Sequence, residues 1–259
     1  MLLMRLKCLQ KSGKKKLTII PFLMTFANAC LGLLSILYAF DEQFIAAAYC
    51  IIVAAIFDGI DGKLARALGS TSSLGMELDS LCDAISFCLA PAIILYCWNL
   101  HVIEWVGLLA VGLYLCAGLF RLAKFNIINI EQKPFFIGLP TTVAASWVAA
   151  LVIAFPWLEK SFWHFVIEPY RLVLIVGFII FLMLSKVRFF SFKIRMLPLG
   201  TFIIIPIIIS IAALYALVAH VPFCLTVVFS YIMSSLIYNL ISPLSNVIRL
   251  RKFLDFLSH

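Results

Sequence analysis

Residues 43–98 read QFIAAAYCIIVAAIFDGIDGKLARALGSTSSLGMELDSLCDAISFCLAPAIILYCW. Two apolar runs flank a short polar connection. Each run carries a pair of aspartates at the end facing it, Asp58 and Asp61 in the first, Asp79 and Asp83 in the second. A helix that crosses a hydrocarbon core of about 30 Å needs about 20 apolar residues, and both runs are long enough. Residues three and four apart share a helix face, so each pair projects from one side of its helix. A carboxylate at a membrane-helix centre costs about 2.5–3.5 kcal/mol, and four in one place require a compensating cation. The two nearby bases, Lys63 and Arg66, cannot balance four acids.

The rest of the chain repeats this apolar character. Of its 259 residues 64% are hydrophobic and only 12% charged, against about 25% charged in an ordinary soluble domain. Mean hydropathy is +1.13. We expect an all-α, polytopic helical membrane protein with about eight transmembrane helices, at roughly 17–40, 43–66, 76–98, 102–122, 138–156, 171–185, 199–219 and 222–246. The alternating pattern of a membrane barrel is absent from the sequence. The first run is too long for a signal-peptide core and no small-residue cleavage pattern follows it, so it reads as a retained span.

With both termini cytoplasmic, 18 of the 20 Lys and Arg residues fall on the cytoplasmic side, leaving only Lys160 and Arg171 outside. That bias places the aspartates towards the cytoplasm. The formal charge of +8 is spread over segments flanking the spans, which points to anionic lipid headgroups and not to nucleic acid. The densest cluster, Arg5 to Lys16, sets topology and can hold acidic lipids near the aspartates. Eight cysteines form no C-x-x-C pair and read as packing thiols. His101, His164, His220 and His259 fall in outer loops or at the terminus, away from the aspartates.

Without Cys or His in the cluster, four carboxylates offer hard oxygen ligands suited to Mg²⁺ or Mn²⁺, as one or two ions, and such ions bind phosphate. Gly59, Gly62, Ala65 and Gly75 let helices, a base or a pyrophosphate approach closely. Arg66 adds a planar fork of donors for phosphate oxygens. An ion-coupled transporter also uses intramembrane acids, but transporters often repeat such features in two halves, and here the cluster occurs once.

The order Asp58-x-x-Asp61-Gly62-x-x-Ala65-Arg66-x8-Gly75-x-x-x-Asp79-x-x-x-Asp83 matches at every specified position the motif of the CDP-alcohol phosphatidyltransferases, and the chain resembles that family. The resemblance implies a metal-dependent enzyme that exchanges the CMP of a CDP-linked lipid for an alcohol. It makes Asp58 and Asp79 ligands shared by two metals, Asp61 a ligand of the first and Asp83 a ligand of the second and also the catalytic base. It further implies CDP-lipid contacts at Gly62, Ala65, Arg66, Ser72 and Gly75, with Thr25 and Asn28 of the first span close to the nucleotide. No Ser, Cys or His beside the motif looks like an activated nucleophile, which favours direct displacement over a covalent intermediate.

Further stretches resemble the branch of the family that forms phosphatidylserine: Ile20-Pro21-x-x-x-Thr25-x-x-Asn28, Arg121-Leu122-Ala123-Lys124-Phe125-Asn126, Gly138-Leu139-Pro140, and Leu184-Ser185 through Ser191-Phe192-Lys193. Phe22, Lys124 and Thr142 depart from residues common in that branch. The substrates implied are CDP-diacylglycerol and L-serine; glycerol 3-phosphate or inositol is the alternative acceptor. Serine carries a carboxylate that needs a cation and an ammonium that needs acceptors, which makes Arg121, Lys124 and Asn126 the candidate acceptor site, with Arg188 and Lys193 second candidates. The expected organisation is a basic cytoplasmic arm at 1–16, a phosphatidyltransferase core at 17–193, and additional transmembrane helices with a basic tail at 194–259. The resemblance also implies a bacterial or archaeal cell membrane, a cytoplasm-facing site and a possible homodimer.

Overall fold

A computed structural model describes residues 22–67, 73–128, 135–158, 168–185, 187–190, 228 and 231–233. The chain begins there with α1 (Phe22–Phe40), which ends where Asp41 and Glu42 break the apolar run. Glu42 takes a positive φ of 59°, and backbone bonds from Asp41 to Leu37 and from Gln43 to Tyr38 close the last turn. So tight a connection makes α2 (Phe44–Ala67) an immediate antiparallel neighbour. The seam between them is lined by small residues: Ala39, Ala47 and Ala48 are buried, and the Ser35 hydroxyl donates to the Ala47 carbonyl at 2.8 Å. Small residues let helix backbones approach, and α2 meets α6 (Thr141–Leu158) by the same means, through Ala47, Ala48, Ile51 and Ala54 against Ala145, Ala149 and Val152.

The next apolar run is one continuous helix, Ser73–Trp98, built in three parts. Its acid-bearing part is α3 (Ser73–Asp83), its apolar part α4 (Ala90–Trp98), and between them Ala84–Leu89 form a wider π turn. Pro91 gives a local cause, because it has no N–H for the carbonyl of Phe87 four residues back. The buried Tyr114 hydroxyl supplies a donor to that carbonyl, at 3.3 Å.

Tyr114 belongs to α5 (Glu104–Ile128), which a short 3₁₀ turn, Leu100–Ile103, joins to α4. Gly107 is required at this corner, since a Cβ there would collide with the Leu100 carbonyl. α5 then packs on α7 (Pro169–Leu184), with Val111 and Tyr114 facing Leu172, Val176 and Ile179 in a second core. Ile232 is buried in that core and Val228 and Tyr231 lie against it, so residues beyond 200 contribute to the packed interior.

Among the described residues four helices are long and apolar enough to cross a membrane: Phe22–Phe40, Phe44–Gly62, Ser73–Trp98 and Leu100–Ile127. Thr141–Pro156 and Pro169–Leu184 are shorter apolar helices. The chain is a helical membrane protein, and these six helices overlap the first six expected spans. The expected seventh span and nearly all of the eighth lie outside the described residues, as does the 1–16 arm.

Two differences from the expected layout bear on function. α5 continues past the expected end of the fourth span at 122 to Ile128, so Lys124 and Asn126 are helical as Arg121 is. The good helix formers of Arg121 to Lys124 allow the extra turns. The all-α expectation also missed a short antiparallel pair, β1 (Phe135–Ile137) with β2 (Arg188–Phe190), in register Phe135↔Phe190 and Ile137↔Arg188. Gly138 follows β1 with φ +78°; its N–H donates to the Val187 carbonyl at 2.8 Å and that of Leu139 to the Leu182 carbonyl at 3.0 Å. This clips the start of α6 to the end of α7.

Candidate active site

The acid-bearing ends of α2 and α3 converge. Carboxylate oxygens of Asp58, Asp61 and Asp79 all lie within 4.8 Å of one another, Asp61 buried and the other two half-buried. At that separation each pair of charges repels by about 3 kcal/mol at an effective dielectric near 20, a repulsion that a divalent cation held by the trio would relieve. Its donors are all carboxylate oxygens, which fits Mg²⁺ or Mn²⁺ and disfavours softer metals.

Asp83, one turn beyond Asp79, stands beside the trio and not within it. Its Oδ1 accepts a 3.0 Å hydrogen bond from Asn28 Nδ2, and it is within electrostatic reach of Asp58, Asp79 and Asp61. Asp83 is buried in the Ser73–Trp98 helix, where the π turn begins.

Helix α1 reaches both acidic pairs. Thr25 Oγ1 donates to Asp61 Oδ2 at 3.0 Å, and Asn28, three residues on, reaches Asp83. The sequence places both polar residues beside the nucleotide; the structure sets their side chains on two of the aspartates. Below them Ser86 Oγ donates to the Asn28 carbonyl at 2.8 Å, and Gly32 lets Ser86 come close.

The proposed acceptor residues diverge. Arg121 is buried, its Nη1 donates to Thr141 Oγ1 at 3.4 Å, and it is within electrostatic reach of Cys88, Tyr231 and Asp83. Its Nε has no hydrogen-bond partner among the described residues. Lys124 is exposed. Asn126 is engaged with α3: its Oδ1 accepts from Ser80 Oγ at 2.9 Å and its Nδ2 donates to Glu77 Oε2 at 3.4 Å. Arg121 thus turns to the start of α6 while Asn126 ties the end of α5 to α3.

Of the residues expected at the CDP-lipid, Gly62 and Gly75 are half-buried next to the acidic pairs. A Cβ on Gly59 would meet nothing within 4 Å. Ser72, Lys193 and the side chains of Ala65, Arg66 and Arg188 lie outside the described residues. Sequence reasoning overlooked Ser86, Thr141 and Tyr231. Ser86 stands three residues after Asp83 and Thr141 directly after Gly138-Leu139-Pro140, both readable signals, whereas nothing in the pattern marks Tyr231.

Comparison with known proteins shows which family the sequence belongs to. A CDP-diacylglycerol–serine O-phosphatidyltransferase of Helicobacter pylori (strain J99) is 35% identical over 199 residues, covering 75% of this chain and 81% of the relative. The protein of that name from Bacillus subtilis (strain 168) is 32% identical over 174 residues, 67% of this chain and 91% of the relative. An archaetidylserine synthase of Methanothermobacter thermautotrophicus is 35% identical over 144 residues, 55% and 61% of the two chains. The family description CDP-alcohol phosphatidyltransferase matches residues 18–236, a range that holds both acidic pairs, the α1 residues that bond them and Arg121. With motif, geometry and relatives in agreement, the chain belongs to the CDP-alcohol phosphatidyltransferase family.

Proposed function

We propose that this protein transfers the phosphatidyl group of CDP-diacylglycerol to the hydroxyl of L-serine, releasing CMP, in a metal-dependent reaction. The observation that carries the reading is the carboxylate trio of Asp58, Asp61 and Asp79 with Asp83 beside it. Serine as acceptor is supported by the names of the relatives, which share a serine product and differ in the lipid, and by a buried arginine within electrostatic reach of Asp83.

Asp58, Asp61 and Asp79 would hold the divalent ion, with Asp83 available to a second. When bound, such ions neutralise pyrophosphate charge and polarise the phosphorus under attack. Asp83 accepts the proton of the serine hydroxyl as its oxygen bonds to the β-phosphorus. The bond from that phosphorus to CMP breaks, and CMP leaves with the electron pair. Arg121 meets the serine carboxylate with its planar fork. Lys124 is an exposed cation at the same end of α5 and draws anionic substrates toward the site, and Asn126 keeps that end of α5 against α3. Gly62, Ala65, Arg66, Ser72 and Gly75 accommodate the CDP portion.

The site faces the cytoplasm of a bacterial or archaeal cell, with about eight spans and both termini inside, and the lipid enters laterally from the inner leaflet. The charge distribution supports this orientation. The basic arm at 1–16, the core at 17–193 and the helices at 194–259 complete the proposed organisation, and a homodimer is the proposed assembly. Purified protein supplied with CDP-diacylglycerol and Mg²⁺ or Mn²⁺ should release CMP with serine and far less with inositol or glycerol 3-phosphate. Absence of CMP with every acceptor refutes the enzyme reading, and release with a different one corrects the acceptor.

A further inference from the structure

We propose that α1 is an orienting brace for the acidic centre, with Thr25 and Asn28 as positioning residues that act through Asp61 and Asp83, not as contacts of the nucleotide. The inference rests on the metal reading of the trio. Two polar residues three apart on α1 reach aspartates on two different helices, each at 3.0 Å. Both are buried, Asn28 completely. The Thr25 hydroxyl occupies Asp61 Oδ2, which fixes the rotation of that carboxylate and turns its other oxygen elsewhere. The Asn28 amide does the same for Asp83 Oδ1. The Oδ1 of Asn28 has no hydrogen-bond partner among the described residues, so the bond from its Nδ2 to Asp83 sets the orientation of the side chain.

The brace is also held at a set height. Ser86, inside the π turn that starts after Asp83, bonds the Asn28 backbone at 2.8 Å, and Gly32, one turn further along α1, removes the side chain that would keep Ser86 away. One residue of α1 is therefore tied both to the proposed base and to the turn that carries it. Hydrogen bonds from outside a ligand set orient its carboxylates, and their loss typically weakens metal affinity 10–100-fold.

The test separates a brace from a nucleotide contact by measuring metal binding with no nucleotide present. Mn²⁺ is titrated into purified protein and free ion followed by electron paramagnetic resonance. Thr25→Val, close to isosteric, should weaken Mn²⁺ binding about tenfold or more, and Thr25→Ser, which keeps the hydroxyl, should restore it to within about twofold. Asn28→Leu should lower kcat at saturating substrates while the KM for CDP-diacylglycerol and the affinity for CMP stay near wild type. Loss of CMP affinity with unchanged Mn²⁺ binding in Thr25→Val would overturn the brace and return the residue to the nucleotide. If Thr25→Ser fails to restore binding, packing and not the hydroxyl is responsible, and the brace again falls. Wild-type protein that binds no Mn²⁺ would sink the metal reading itself, a result distinct from either.

Discussion

The seam between Gly32 and Ser86 allows the coupling of α1 to the acids to be tested by distance alone. An alanine Cβ at position 32 would lie 2.5 Å from Ser86 Oγ and 2.8 Å from Ser86 Cα, where ordinary contact begins at 3.4 Å. The hydroxyl can rotate aside, but a backbone atom cannot. α1 must therefore retreat by the difference between 2.8 and 3.4 Å. If that retreat is transmitted to Thr25 and Asn28, their two 3.0 Å bonds open to about 3.6 Å, too long for a hydrogen bond. Overpacking of this kind costs about 1–3 kcal/mol of stability. Misplacement of catalytic groups approaching 1 Å costs up to about 100-fold in rate, so Gly32→Ala should lower kcat about 10–100-fold. The assay is CMP release at saturating substrates, with thermal unfolding of the same preparation. Gly112→Ala is the control, because a Cβ there meets nothing within 4 Å and alanine is the better helix former, so stability should hold or rise by up to about 1 kcal/mol. Near-normal kcat in Gly32→Ala alongside a clear loss of stability would refute the idea that the height of α1 sets the aspartates.

Asp83→Asn should abolish turnover while leaving the thermal transition close to wild type, since the amide fills the same volume; a rate within a few-fold of wild type would remove Asp83 from the role of base. Arg121→Lys should raise the KM for serine at least about tenfold with little change for CDP-diacylglycerol, because an ammonium cannot reproduce a bidentate fork; equal effects on both substrates would mean that Arg121 serves phosphate or packing. Gly138→Ala should destabilise the protein by about 1–3 kcal/mol, since φ is +78° there and a Cβ would sit 2.5 Å from the Met183 carbonyl oxygen; an unchanged melting temperature would show that the clip between α6 and α7 is dispensable.

The helices were legible because long apolar runs and a few polar interruptions leave a membrane protein little choice. The acidic pairs were legible for a similar reason, as spacing of three and four on a helix fixes a shared face regardless of context. What escaped was the partner of each polar group. Thr25 and Asn28 were found, but which groups they bond depends on how α1 leans against α2 and α3, and that is decided by Ala39, Ala47 and Gly32, residues with no chemistry of their own. Arg121, Lys124 and Asn126 read as one cluster at the end of the fourth span; in the structure Arg121 is buried, Lys124 is exposed and Asn126 is taken up by Ser80 and Glu77 of α3. The strand pair was invisible because three residues show no periodicity. Tyr231 packs against the second core, within electrostatic reach of Arg121, from a stretch that reads only as apolar, so sequence distance concealed it.

The π turn shows why one helix has to serve two demands that regular α geometry would set against each other. α3 must present Asp79 to α2, and Asp83 to α1, while α4 must fill the space between the two apolar cores. Ala90 and Ile94 belong to the core with α1, α2 and α6, whereas Ala92 and Leu95 belong to the core with α5 and α7. In an α-helix each residue advances about 100°, so the facing of α4 would be locked to that of the aspartates. Bonding to the fifth residue, as the Ala90 N–H does to the Ile85 carbonyl, adds a residue to the turn and releases that lock. The cost is irregular backbone inside a membrane helix, and the neighbouring helices offset it. Tyr114 donates to the Phe87 carbonyl from α5, and Ser86 donates to the Asn28 carbonyl on α1. The turn that frees α3 from α4 is thereby fastened on both sides, and one of its fastenings is the residue that bonds Asp83.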